Sequence, residues 1–176
     1  FETFISTTGR IKNGILIGDL IVQGSGDPLF VWEEAIAIGN SLNRMGIKQV
    51  KGNLNIVGDF TMNFQRNPIL AGQLFKKALN SSNWNRNIFL QYSSMIKGTL
   101  KPKVDITGEV KAQSQVKPGT NVLIRHQSLP MKRLITEMNT FSNNDMAHML
   151  AEAVGGIDTL STKAAQLAKV PISEIL

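Results

Sequence analysis

Ser142 and Asn144 are the two side chains best placed by type and spacing to do chemistry together. They flank Asn143 on a short polar break between two stretches of helical periodicity, so a hydroxyl and a carboxamide can face one cleft. The competing reading is that Ser142-Asn143-Asn144 caps a helix beginning at Asp145, since Ser and Asn are favoured caps; capping can coexist with a site. Two other stretches, Ser94-Met95-Ile96-Lys97 and Ser114-Gln115-Val116-Lys117, have the spacing of a serine nucleophile and an activating lysine. With 12 serines and 13 lysines, about one such match arises by chance. Such a nucleophile should open a buried helix; Ser114 instead lies just before a Pro-Gly turn, and both serines are discounted. Gly24-Ser25-Gly26 follows a strand as a dinucleotide-binding loop does. Leu29 stands where the third glycine belongs and Pro28 breaks the turn into a helix, so a tight turn is expected. His126 and His148 are isolated, without a Cys or a His-x-x-x-His pair, and read as ordinary polar histidines. Neither a metal ion nor a cofactor is expected.

The elements that would position these residues fall into two textures. Phe4 to Thr8 and Ile15 to Gln23 read as a hairpin turning near Lys12-Asn13-Gly14. Ala35, Ile38, Leu42 and Met45 recur at helical spacing before Gly46, and Val50 to Asp59 alternates as a strand should. Pro68 opens a helix to Leu79. The run from Ile88 to Ile96 fits strand or helix equally. Val104 to Val110 and Asn121 to His126 read as strands around the turn signal Lys117-Pro118-Gly119. After Pro130 the texture is helical. Leu134, Ile135 and Met138 mark one helix, and Met146, Met149, Leu150 and Ala153 a second that stops at Gly155-Gly156. Leu160, Ala164, Leu167 and Ala168 mark a third. The methionines at helical spacing are read as core.

Composition excludes several classes. At 176 residues, 42% hydrophobic and 18% charged, the chain is an ordinary globular one. It lacks cysteine, which rules out disulfides and thiolate metal sites. No apolar run approaches the roughly 20 residues that cross a bilayer. The net charge of +6 comes with scattered basic residues, densest at Lys76-Lys77, Lys101 with Lys103, and Lys132-Arg133. Aromatics are sparse at 6%. That pattern describes a solvated basic face better than a nucleic-acid stripe, and no nucleic-acid partner is expected. The chain opens on Phe1 with neither a Met nor a signal peptide, and Pro171 to Leu176 reads as the first turn of an unfinished helix. A fragment of a longer protein is therefore expected.

Three blocks, in order, resemble the low-molecular-mass penicillin-binding D-alanyl-D-alanine carboxypeptidases/endopeptidases that carry an inserted domain. The first is Gly9-Arg10-Ile11-Lys12-Asn13-Gly14-Ile15-Leu16-Ile17-Gly18-Asp19-Leu20, running on through Gly24-Ser25-Gly26-Asp27-Pro28-Leu29. The second is Met45-Gly46-Ile47-Lys48-Gln49-Val50-Lys51-Gly52-Asn53-Leu54. The third runs from His126-Gln127-Ser128-Leu129-Pro130-Met131 to Glu152 and includes the Ser-x-Asn triplet, with Asn143 where the family more often has Asp. Ala71 to Leu79 adds a weaker match.

The resemblance implies an α+β chain in which residues 1–127 form the inserted domain region. Residues 128–176 would then be an all-helical portion of the catalytic domain, carrying the second of three family motifs. The Ser-x-x-Lys and Lys-Thr-Gly-type motifs would lie upstream of Phe1 and downstream of Leu176. By the same resemblance Ser142 helps pass a proton to departing D-alanine, and Asn144 donates its amide to the substrate's acyl-side carbonyl and holds the lysine. Substrates would be peptidoglycan stem peptides, β-lactams would acylate the full-length parent, and the parent would be exported to the periplasm or cell envelope. The fragment alone would be inactive and, with helix faces uncovered, would self-associate. The alternative is a non-catalytic cell-wall-binding module.

Overall fold

The computed structural model describes residues 1–175, and its chain divides into two compact units, Phe1–Ser128 and the residues from Leu129 onward. The first unit is built on strand runs that change sheet midway. The elements are β1 (Glu2–Thr7), β2 (Arg10–Lys12), β3 (Ile15–Ile17), β4 (Leu20–Ser25), β5 (Gln49–Val50), β6 (Leu54–Asp59), β7 (Asp105–Ile106), β8 (Val110–Gln113) and β9 (Asn121–Gln127). One sheet has the order β8-β6-β4-β1-β9 and the other β2-β3-β5-β7. In the larger sheet β1 runs antiparallel to both β4 and β9, while β4, β6 and β8 are mutually parallel. The fold is α+β, as the sequence suggests.

Glycines explain the change of sheet. Gly9, Gly18, Gly52 and Gly108 sit between β1 and β2, β3 and β4, β5 and β6, and β7 and β8. The Gly52 amide donates to the Gly18 carbonyl at 3.0 Å, and the Gly108 amide donates to the Gly52 carbonyl at 3.1 Å. A Cβ on Gly108 would stand 2.3 Å from the Gly52 carbonyl oxygen, and one on Gly52 would stand 2.4 Å from the Gly18 oxygen. The four runs thus cross at a seam where only bare backbone fits. Asp19 reinforces it: one carboxylate oxygen accepts from the Asn53 amide at 2.7 Å and the other from the buried Asn55 side chain at 3.0 Å.

This seam corrects three expectations. The expected hairpin forms, with Phe4 to Thr7 opposite Leu20 to Gln23 and the turn at Asn13-Gly14, but it is split between sheets, β1 pairing with β4 in one and β2 with β3 in the other. Val50 to Asp59 is two strands in different sheets, and so is the run from Val104 to Val110. Alternation of apolar residues is continuous from Val50 to Ile56 and from Val104 to Val110, so in those runs it carries no mark of the switch.

Helix α1 (Trp32–Arg44) buries Ala35, Ile38 and Leu42 and ends before Gly46, whose φ is 83°. Met45 lies past the helix end and is exposed. Helix α2 (Pro68–Ala78) starts on Pro68, with Asn67 accepting the amides of Ile69 and Leu70. The ambiguous stretch is helix α3 (Arg86–Ser94), capped by Asn85. Phe30, Phe60 and Phe75 form an edge-on aromatic cluster in the core, with centroids 5.1 Å (Phe30–Phe60) and 5.7 Å (Phe60–Phe75) apart.

The second unit is helical: α4 (Met131–Thr140), α5 (Asn144–Ala153) and α6 (Gly156–Ala168), then a short 3₁₀ turn at Ile172–Glu174. Leu134, Met146, Met149, Leu150 and Ala165 are its buried apolar residues. Gly155 and Gly156, at φ 105° and 88°, make the turn between α5 and α6.

Candidate active site

Ser142-Asn143-Asn144 is the bend between α4 and α5. Phe141 is the C-cap of α4, and the two residues after it close the helix end. The Ser142 amide donates to the Asn139 carbonyl at 3.3 Å, and the Asn143 amide reaches back to the Met138 carbonyl at 2.9 Å. That bond pair defines a Schellman helix stop, whose first residue beyond the cap takes the left-handed conformation that glycine favours. Here the residue is Ser142, at φ 49°. A serine at this position carries a backbone penalty of about 1–2 kcal/mol.

Asn143 then serves as the N-cap of α5. Its side-chain oxygen accepts the Met146 amide at 2.9 Å, and Asp145 in the first turn faces the positive helix end. The capping reading is therefore right about the triplet and specific about the residue: the middle position does it. Helix α5 begins at Asn144 rather than Asp145. Ser142 and Asn144 are both exposed, and no hydrogen bond within the bend engages either side chain among the described residues. The bend presents a hydroxyl and a carboxamide from two successive rigid elements, two residues apart, with their hydrogen-bonding capacity open.

The other sequence candidates lie elsewhere. Ser94 is the last residue of α3 and donates to the Gln91 carbonyl at 2.7 Å. Ser114 is exposed in the loop after β8. Both lack the buried helix start that a Ser-x-x-Lys nucleophile needs. The Gly24-Ser25-Gly26 turn leaves β4 tied down: the Gly26 amide donates to the Asp59 carbonyl at 2.7 Å, and Asp27 accepts from the Leu29 amide at 3.0 Å. His148 on α5 is 3.1 Å from Glu152. It borders an apolar cleft of about 530 Å³ between α5 and α6, lined also by Ala147, Ala151, Gly156 and Ile157.

Sequence reasoning passed over one cluster in the first unit. Buried Asp27 lies 3.5 Å from His126 on β9, whose ring meets Phe30 edge-on. Glu34, in the first turn of α1, is half-buried near them. Burial raises its carboxyl from 4.5 to about 7; the nearby His126 opposes that rise, and the Glu33 and Asp27 carboxylates add to it. His126 is about a hundred residues from Asp27, Phe30 and Glu34, so no local signal joins them.

The family model of the D-Ala-D-Ala carboxypeptidase 3 (S13) family matches residues 1–67 and 89–172. A stretch of 54 residues is 39% identical to the D-alanyl-D-alanine carboxypeptidase DacB of Haemophilus influenzae, covering 31% of this chain and 11% of that protein. The penicillin G-acylated Bd3459 predatory endopeptidase of Bdellovibrio bacteriovorus, solved with immunity protein Bd3460, shares the fold over 98% of this chain and 45% of its own. Its TM-score is 0.73 and the identity 23%. Penicillin binding protein 4 (dacB) of Haemophilus influenzae aligns over 87% of this chain and 51% of its own, with a TM-score of 0.58 and 17% identity. The chain thus spans about half the length of these solved structures. With most of its length matched, the chain belongs to the D-Ala-D-Ala carboxypeptidase 3 (S13) family.

Proposed function

We propose that this chain is part of a serine-type D-alanyl-D-alanine carboxypeptidase/endopeptidase, acting on peptidoglycan stem peptides through an acyl-enzyme. Residues 1–127 form its inserted domain region, and residues 128–176 belong to the helical portion of its catalytic domain. The observation that carries this reading is the α4–α5 bend, which holds the Ser142 hydroxyl and Asn144 carboxamide exposed within a family-matched segment. Ser142 passes a proton to the departing D-alanine. Asn144 donates to the acyl-side carbonyl and orients the activating lysine. Neither group can begin the reaction, because acylation needs a nucleophilic serine that these two residues do not supply.

The enzyme would work in the periplasm or cell envelope, with β-lactams as covalent inhibitors of the full-length protein. Several apolar side chains of the helical unit are exposed, including Phe141, Ile157 and Leu167. They favour self-association of the 176-residue chain.

The test is acyl transfer by the full-length protein that contains this chain. Ser142→Ala and Asn144→Ala should each lower kcat/KM for D-alanine release by about 10²-fold or more. Fully active variants would overturn the assignment. The 176-residue chain alone should not be labelled by a fluorescent penicillin, and labelling at Ser94 or Ser114 would refute the reading.

A further inference from the structure

The net charge of this chain has one source. From Phe60 to Val104 there are seven Lys and Arg and no Asp or Glu, leaving twelve basic and thirteen acidic residues in the rest. This segment comprises α2, the turn at Ser81–Asn83, α3 and the loop that follows. Residues 68–88 of it fall outside the family match.

Its outer edge is apolar as well as basic. Ile96 is 87% exposed, Leu100 67%, Leu90 57% and Phe89 49%. The loop that carries Ile96 is fixed. Both the Thr99 amide and its hydroxyl donate to the Ile96 carbonyl, at 3.0 and 2.7 Å, and Gly98 turns at φ 97°. The Tyr92 hydroxyl donates to the Thr99 carbonyl at 2.6 Å and ties the loop to α3. The Lys101 ammonium sits 5.0 Å from the Phe89 ring centre and 5.4 Å from that of Tyr92. Arg86, Lys97, Lys101 and Lys103 are all exposed in this segment. Glu33, which meets α3 through the Gln91 amide, is half-buried.

We propose that this edge, Phe89–Leu90 with the loop Ile96–Lys101, docks on an anionic lipid bilayer. The aliphatic side chains enter the headgroup boundary and the cations meet lipid phosphates. Three observations select that occupant. Protruding leucine and isoleucine gain by leaving water and need no shaped partner, which suits a fluid lipid surface. Sugars stack on open aromatic faces rather than on aliphatic tips, and nucleobases need the same faces. Lys101 already covers a face of both Phe89 and Tyr92. The absence of acid over 45 residues matches a surface of uniform negative charge, where each cation is worth about fivefold in partitioning.

The experiment is flotation of the 176-residue chain with vesicles of phosphatidylglycerol and phosphatidylcholine in equal parts, and with phosphatidylcholine alone. The chain should float with the anionic vesicles, and should release at raised salt or when the anionic lipid is omitted. Lys97→Ala with Lys103→Ala should weaken binding on the order of 30-fold, and Ile96→Ser with Leu100→Ser should abolish it. Lys163→Ala with Lys169→Ala removes the same charge from α6 and its end and should leave binding unchanged. Thermal melts verify that each variant is folded, which exposed positions allow. Failure to float with anionic vesicles overturns the proposal, as does equal loss from the Lys163/Lys169 pair. So does retention of lipid binding by the Ile96/Leu100 variant. If that variant instead abolishes self-association or a single-stranded DNA complex of a chain that ignores lipid, the edge is an interface of another kind. The catalytic reading is untouched by any of these results.

Discussion

Ser142 occupies a position where another residue would be more stable, and that can be measured. Its φ of 49° costs a side-chain-bearing residue about 1–2 kcal/mol. Glycine escapes the penalty but loses more backbone entropy on folding, about 0.5–1 kcal/mol. The difference makes Ser142→Gly stabilising, by about 0.5–1 kcal/mol after both terms. For a chain of this size that corresponds to a rise in Tm of about 1–4 °C if its two units melt together. Ser142→Ala is the control: it removes the hydroxyl and keeps the strain, so its melting point should stay near that of the parent. Urea titrations of the three proteins, with m-values compared, separate a change in stability from a change in the denatured state. A Ser142→Gly variant no more stable than Ser142→Ala would refute the argument that the backbone is strained. In the full-length enzyme the same glycine should lose activity while gaining stability. That opposition is expected where strain is retained for chemistry.

Two further perturbations probe the frame. Gly108→Ala places a methyl group 2.3 Å from the Gly52 carbonyl oxygen. It should cost about 1–3 kcal/mol or more, read as a lower urea midpoint, because backbone on both sides of the seam must move. Glu34 ties stability to pH. Its folded pKa of about 7 exceeds its ordinary 4.5, so the folded state holds a proton that the unfolded chain releases. Its stabilising contribution is full below pH 4.5 and is lost as pH rises to about 7. The loss is on the order of 2–3 kcal/mol. Glu34→Gln should flatten that slope in urea titrations between acidic and neutral pH, and an unchanged slope would refute the assignment to Glu34.

Local signals carried much of this structure. Asn13-Gly14, Gly46, Pro68 and Gly155-Gly156 each act within a few bonds, through backbone conformations that few other residues adopt, and each turn or helix end lies where they indicate. The three family-like blocks and Ser-x-Asn were equally visible, because they are contiguous. By itself, then, the sequence determined the family, the α+β class and the adjacency of a hydroxyl and a carboxamide between two helices. Tertiary structure decided the rest. Alternating apolar residues specify which side of a strand is buried but not which neighbour it pairs with. Only packing at the Gly18–Gly52–Gly108 seam divides each run between two sheets. Likewise the left-handed backbone of Ser142 follows from the bonds that stop α4, and the proton affinity of Glu34 from its burial, which only the fold creates. Conformations dictated by a residue's own chemistry can be read from the chain, and those imposed by distant neighbours need the fold.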